Sequence, residues 1–275
     1  MTDEKHSCYD FLEFPLAGRN IKPRETGLTM VIDKGLGYTE TEELLDLASE
    51  YIDFIKLGFG TSALYSAHLL RRKIELVKEY DVHIFPGGTF LEIAVMQGKL
   101  KDYLRITKEL GYTAVEVSDG TINMSPNVRE EAIKRALDMG LIVLSEVGKK
   151  DERDHVEFMR FGELIAKDLE DGAYKVIIEG RESGKGVVIY DQKGEIKRDE
   201  LEFLKEVIED YNDILWEAPL KQQQYELILN FGPNVNLGNI QASEVLAVEA
   251  LRRGLRGDTL RSCINRGEDG KRLGG

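Results

Sequence analysis

Apolar runs of strand type end repeatedly on a carboxylate or a lysine in this chain. Leu28–Ile32 runs into Asp33 and Lys34, Ile52–Ile55 into Lys56, and Ala114-Val115 into Glu116. Leu141–Ser145 leads to Glu146, Lys175–Ile178 to Glu179, and Asp213–Trp216 to Glu217. Charge at the end of a buried strand is costly unless such ends converge on something that uses it. Converging carboxylates could ligate a hard cation such as Mg2+. A lysine aimed into the same space could be an acid, a Schiff-base amine or an anion clamp.

The segments after these runs carry the other candidates. Ser145-Glu146-Val147-Gly148-Lys149-Lys150 offers cations beside a carboxylate. Glu179-Gly180-Arg181-Glu182-Ser183-Gly184-Lys185-Gly186 combines glycines, which admit close backbone approach, with Arg181 and Lys185 as anion binders. It fails the nucleotide P-loop pattern: one residue too few separates the glycines, and Gly186 stands where a Ser or Thr would hold Mg2+. Asn236-Leu237-Gly238-Asn239 lies where barrels often seat a phosphate, so Asn236, Gly238 and Asn239 join the anion candidates. Asn239 as a plain helix cap, and Gln222–Gln224 as a polar helix face, are the simpler alternatives. Pro86-Gly87-Gly88-Thr89 is a tight turn that would leave room for a ligand.

Strand-like runs at 28–33, 52–57, 82–86, 112–117, 141–146, 174–179, 213–217 and 234–237 alternate with amphipathic stretches. The latter lie at 41–51, 62–79, 127–139, 154–169, 198–209, 222–230 and 242–253. This alternation predicts an α/β fold, a (β/α)8 TIM barrel, with strand ends converging on one face. An open doubly wound sheet is the runner-up, but its Gly-x-Gly-x-x-Gly turn after the first strand is missing. A single domain over 1–275 is expected, with an N-terminal extension at 1–25 and a frayed tail at 265–275. Residues 187–196 read as a hairpin inserted after strand six.

With 275 residues and 42% hydrophobic content, one substantial core can be buried. A net charge of -13 without a basic stretch argues against nucleic acid as a partner. No apolar run is long enough for a membrane span, and no secretory signal stands at the start, so a cytoplasmic protein is expected. Cys8 and Cys263 read as free thiols, and His6, His68, His83 and His155 form no zinc-ligand pattern.

Taken together, the segments resemble the phosphosulfolactate synthase family. The resemblance rests on Asp33-Lys34-Gly35, Lys56–Ser62, Pro86–Thr89, Glu116–Gly120, Ser145–Lys150, Glu179–Gly186, Glu217-Ala218-Pro219, Asn236–Ile240 and Leu251–Thr259. Two departures are conservative: Phe59 stands where Trp is usual, and Phe90-Leu91-Glu92 reorders the usual Leu-Phe-Glu. The resemblance implies a barrel lyase that adds sulfite to phosphoenolpyruvate, with Mg2+, to give (2R)-phospho-3-sulfolactate. In methanogens that family serves coenzyme M biosynthesis; in spore formers a sulfolactate route is plausible. Plant relatives are described as heat-stress-associated.

Negative charge building on the substrate carboxylate needs a divalent cation and fixed donors, and a proton must then reach carbon two. Glu146 and Glu179, with Glu116 or Glu217, are the metal candidates. Lys56 is the candidate acid, with Lys34 its rival. Arg181, Lys185, Lys149 and Arg256 are candidates for the anionic groups. A lysine-dependent aldolase and a non-enzymatic stress-associated binding protein on the same barrel stay open, as does a homo-oligomer.

Overall fold

A computed structural model describes residue 9, residues 11–149 and residues 159–268. Its strands are β1 (Thr29–Asp33), β2 (Phe54–Leu57), β3 (His83–Pro86), β4 (Ala114–Val117), β5 (Ile142–Val147), β6 (Lys175–Ile178), β7 (Ile214–Glu217) and β8 (Asn236–Gln241). They hydrogen-bond in the order β3-β2-β1-β8-β7-β6-β5-β4, with every observed pair parallel. This is a (β/α)8 barrel, closed by ladders everywhere except between β3 and β4. Thr113 bridges that seam: Ile84 N–H donates to its Oγ1 at 3.0 Å, and its own N–H donates to Ile84 O at 3.2 Å.

The helices are α1 (Tyr38–Ala48), α2 (Ala67–Glu79), α3 (Gly88–Met96), α4 (Leu100–Leu110), α5 (Pro126–Asp138), α6 (Met159–Glu170), α7 (Arg198–Val207), α8 (Lys221–Phe231), α9 (Val245–Arg252) and α10 (Gly257–Glu268). Three of them, α3, α4 and α10, lie outside the amphipathic stretches of the sequence. α3 and α4 both fit between β3 and β4, and α10 packs outside α8 and α9. The expected tail at 265–275 is corrected in part, because α10 carries helix to Glu268; 269–275 lie outside the described residues. Lys150, His6, Cys8, His155 and the start of the expected helix at 154–169 also lie outside them. The hairpin expected at 187–196 is reduced to single antiparallel bridges, Val187 to Tyr190 and Tyr190 to Ile196.

Period-two alternation positions the site. Inside the barrel, Phe54, Ala114, Leu144, Ile177 and Leu215 form one apolar layer with Met30 and Phe85. Two residues further along their strands come Lys56, Glu116, Glu146, Glu179 and Glu217, which therefore face inward at the next level, the C-terminal mouth. The outward positions, such as Ile55, Leu57, Val176, Ile178 and Trp216, pack against the helices. Across the opposite rim runs the N-terminal segment. Arg19 pairs with Glu249 at 3.1 Å and Arg24 with Asp53 at 2.8 Å, while Lys22 donates to Asp81 O. Among the described residues, no helix is long and apolar enough to cross a membrane.

Because Thr113 supplies the acceptor for the Ile84 amide, Thr113→Val should lower stability by about 1–3 kcal/mol in urea unfolding. Amide exchange should rise at Ile84 before it rises in the β5–β6 ladder. Unchanged stability would show that the seam does not depend on this side chain.

Candidate active site

A pocket of about 400 Å³ opens at the C-terminal mouth. Its floor is built from Lys56, Glu116, Glu146, Glu179 and Glu217, and its sides include Gly87, Gly88, Thr121, Arg181, Glu182 and Asn239. The Lys56 ammonium lies 2.8 Å from Glu116 Oε2, 3.0 Å from Glu217 Oε1 and 3.4 Å from Glu146 Oε2. One carboxylate oxygen from each of Glu146, Glu179 and Glu217 lies within 4.8 Å of the others. All three groups are buried, and carboxylate oxygens are the donors a hard divalent cation prefers. Asn239 Oδ1, also buried and on the pocket wall, has no hydrogen-bond partner. That donor set fits Mg2+.

Local backbone devices hold these groups. Gly88 opens α3, and its N–H donates to Glu116 Oε1 at 2.7 Å. A Cβ there would collide with Glu116 and Ser118, so only glycine lets the helix start this close to β4. Gly180 N–H donates to Glu217 Oε2 at 3.0 Å, and a Cβ would lie 2.5 Å from Glu217 O. Tyr190, buried in the bridged loop after β6, donates its hydroxyl to Glu217 O at 2.7 Å. Phe59, Arg181 and Asn239 line the pocket with left-handed backbones (φ 57, 58 and 53), a clustering of strain common at functional sites.

The structure brings together Lys56, Glu116, Glu146, Glu179, Glu217, Arg181 and Asn239. It separates others from them. Lys34 is exposed and not part of the pocket lining, although it pairs at 2.7 Å with Glu182 of the pocket side. Lys185 is exposed and also off the lining. Lys149 turns to the loop after β4, donating to Asp119 O, Asp119 Oδ2 and Ile122 O, so its charge is spent on bracing. Asn236 begins β8 at the opposite rim, where it accepts from Leu28 N and donates to Asn212 O and Ile214 O. Gly238 is packed in the core, where a Cβ would meet Met30 at 2.6 Å; its carbonyl accepts from Ala218 N. Arg256 stands between α9 and α10 and is not part of the pocket lining. Gln223 and Gln224, read as a polar face, are buried, and Gln223 donates to Gly184 O and Gly194 O to tie down the loop after β6.

Glu92, Arg129 and Lys73 are buried charges to which no sequence motif assigns a role. Glu92 accepts from Ser118 Oγ at 2.6 Å and Thr121 N at 2.9 Å. Lys73 pairs with Asp33 at 2.5 Å, and Asp33 in turn accepts from the Gly35 and Leu36 amides. A charged residue at a buried helical position is the signal that could have found them.

The (2R)-phospho-3-sulfolactate synthase (ComA) family model matches residues 17–258. The chain belongs to the phosphosulfolactate synthase family. A phosphosulfolactate synthase of Methanothermobacter thermautotrophicus is 43% identical over 92% of this chain and 98% of its own length. That of Methanocaldococcus jannaschii is 46% identical over 86% and 94%. The Bacillus subtilis enzyme of the same name is 39% identical over 90% and 97%. Among solved structures, 3-hexulose-6-phosphate synthase from Salmonella typhimurium superposes with a TM-score of 0.53 at 14% identity, over 83% of this chain and all of its own. At that identity the likeness speaks to the barrel alone.

In this phosphosulfolactate synthase family member, the pocket lining carries, among the described residues, five carboxylates against two cations, Lys56 and Arg181. Burial alone would depress the Lys56 ammonium, but the fields of Glu116, Glu217 and Glu146 outweigh it and hold its pKa well above the ordinary value. Lys56 therefore stays charged. Burial pushes the Glu116 carboxyl up to about 7; Lys56 opposes the rise, and Glu146 and Glu217 add to it.

Because its pKa is raised on folding, Glu116 stabilises the protein fully below about pH 4.5, its unperturbed pKa, and that contribution is lost as pH rises through 7. Glu116→Gln should remove this loss. In EDTA, urea unfolding should show the variant gaining on the wild type by up to about 3 kcal/mol between about pH 4.5 and 7. A stability difference independent of pH across that window would contradict the raised pKa.

Proposed function

We propose that this chain catalyses the Mg2+-dependent addition of sulfite to phosphoenolpyruvate, giving (2R)-phospho-3-sulfolactate. The observation that carries the reading is the buried Glu146–Glu179–Glu217 triad beside Lys56. The relatives' shared name, phosphosulfolactate synthase, supports the product of this reading. A floor this acidic repels an anionic substrate, so binding one there calls for a cation. Glu146, Glu179 and Glu217 would hold Mg2+, with Asn239 within the same wall. Bound there, the ion would act as a Lewis acid offsetting charge that develops on the substrate carboxylate.

The sulfite sulfur lone pair forms the new carbon–sulfur bond at the methylene carbon, and the double-bond electrons move toward carbon two and the carboxylate. Lys56 faces the pocket as an ammonium and is placed to donate the proton that carbon two then takes. A lysine held so firmly charged surrenders its proton only to a strongly basic atom, which that carbon has become. Glu116, 2.8 Å from Lys56, is placed to return a proton to it. Arg181, at the rim, is a cation available to an incoming phosphate or sulfite. In the reverse direction the same groups break the carbon–sulfur bond, as a lyase would. A Schiff-base lysine must instead be an uncharged nucleophile, which three carboxylate neighbours oppose.

Purified protein given sulfite, phosphoenolpyruvate and Mg2+ should form phosphosulfolactate, followed by 31P NMR, and EDTA should stop it. Lys56→Met should lower kcat by about 10²–10⁴-fold. Arg256→Ala, off the pocket lining, should stay within about twofold of the wild type. Absence of product with Mg2+ present would overturn the proposed reaction.

A further inference from the structure

Arg129 lies on α5, outside the barrel wall, with only 4% of its surface exposed. The ladder between β4 and β5 has its last matched pair at Val117 and Ser145. Glu146 is the next residue of β5. Because Val147 O accepts from Glu179 N on the β6 side, alternation turns the Glu146 carbonyl toward the side that β4 has just vacated. Arg129 Nη2 donates to that carbonyl at 2.9 Å, continuing by side chain a sheet edge that β4 no longer covers.

The rest of the guanidinium is locked. Nε and Nη2 donate to Asp168 of α6 at 2.8 and 2.6 Å, and Nη1 to Asp119 Oδ1 at 3.3 Å. Asp119 also accepts from Lys149, so the loop after β4, which carries Thr121 to the pocket wall, shares the same brace. A planar fork is needed for this, since a lysine ammonium on Asp168 could not also reach the carbonyl in a defined direction.

We propose that Arg129 is a positioning residue that fixes the backbone of Glu146, and thereby the aim of its carboxylate into the Glu146–Glu179–Glu217 triad. This rests on the reading of that triad as a divalent-cation site. Arg129 touches neither substrate nor cation; its effect passes through the Glu146 main chain. Outer partners of metal ligands typically govern affinity by about 10–100-fold.

The test is Mn2+ binding to the full-length protein, read by the loss of the free-ion EPR signal, a measurement independent of turnover. Arg129→Lys should weaken Mn2+ by about tenfold or more. In turnover it should raise the KM for Mg2+ more than it lowers kcat at saturating Mg2+. Should Arg129→Lys fold poorly, the paired Arg129→Met and Asp168→Leu replacement removes the fork without stranding a buried charge, and should weaken Mn2+ in the same way. Thr113→Val, destabilised at a distant seam, should bind Mn2+ like the wild type. Wild-type affinity in the folded Arg129 variants would overturn the positioning role alone. A wild type that binds no Mn2+ would overturn the metal reading, and this inference with it.

Discussion

Among the described residues, four buried carboxylates share the mouth of this barrel with one lysine ammonium. Two carboxylates about 5 Å apart repel by roughly 3 kcal/mol at an effective dielectric constant near 20, so such a group tends to separate or to take up protons. Lys56 opposes that tendency by contacting three of them at 2.8 to 3.4 Å. What it leaves is a net negative floor, with Glu116 pushed up to about 7. The loops around the mouth are arranged to hold this charge in place and to leave space above it.

Those loops act through the backbone more than through free cations. The amides of Gly88 and Gly180 each hold one oxygen of a floor carboxylate, Glu116 and Glu217 respectively. Tyr190 and Arg129 hold the carbonyls of Glu217 and Glu146. Glu146 and Glu217 are each restrained by a side chain off the pocket lining, and Glu116 by the amide of Gly88 in the pocket wall. Preorganised donors and acceptors of this kind need not move as charge develops, which is where electrostatic catalysis gains most.

Much of the architecture was legible from pattern. Apolar runs marked the strands, although the eighth, expected at 234–237, runs Asn236–Gln241. The charged ends of five runs marked the floor, while Asp33 of β1 turns to Lys73. α3 and α4 escaped because α3 begins on Gly87-Gly88, which reads as a turn, and because one helix per crossover was the expectation. Residues 187–196 alternate like a hairpin, yet their contacts are to Glu217 and Gln223 rather than to a second full strand. Lys149, Asn236, Gly238 and Arg256 show the limit of reading site residues from loop position. Lys149 turns to the β4 loop, Asn236 sits at the opposite rim, Gly238 is packed in the core, and Arg256 lies between α9 and α10, off the pocket lining.

The sequence by itself determined the barrel, its polarity and the level at which charge collects, because strand alternation is a local rule with a period of two. Only the tertiary structure decided which charges meet. Lys56, Glu116, Glu146 and Glu217 are separated by dozens of residues, and their distances depend on strand order, register and helix packing. The duties of Arg129, Lys73 and Gln223 depend on the same packing: a buried polar side chain must find a partner, and which partner lies in reach is a property of the assembled layers.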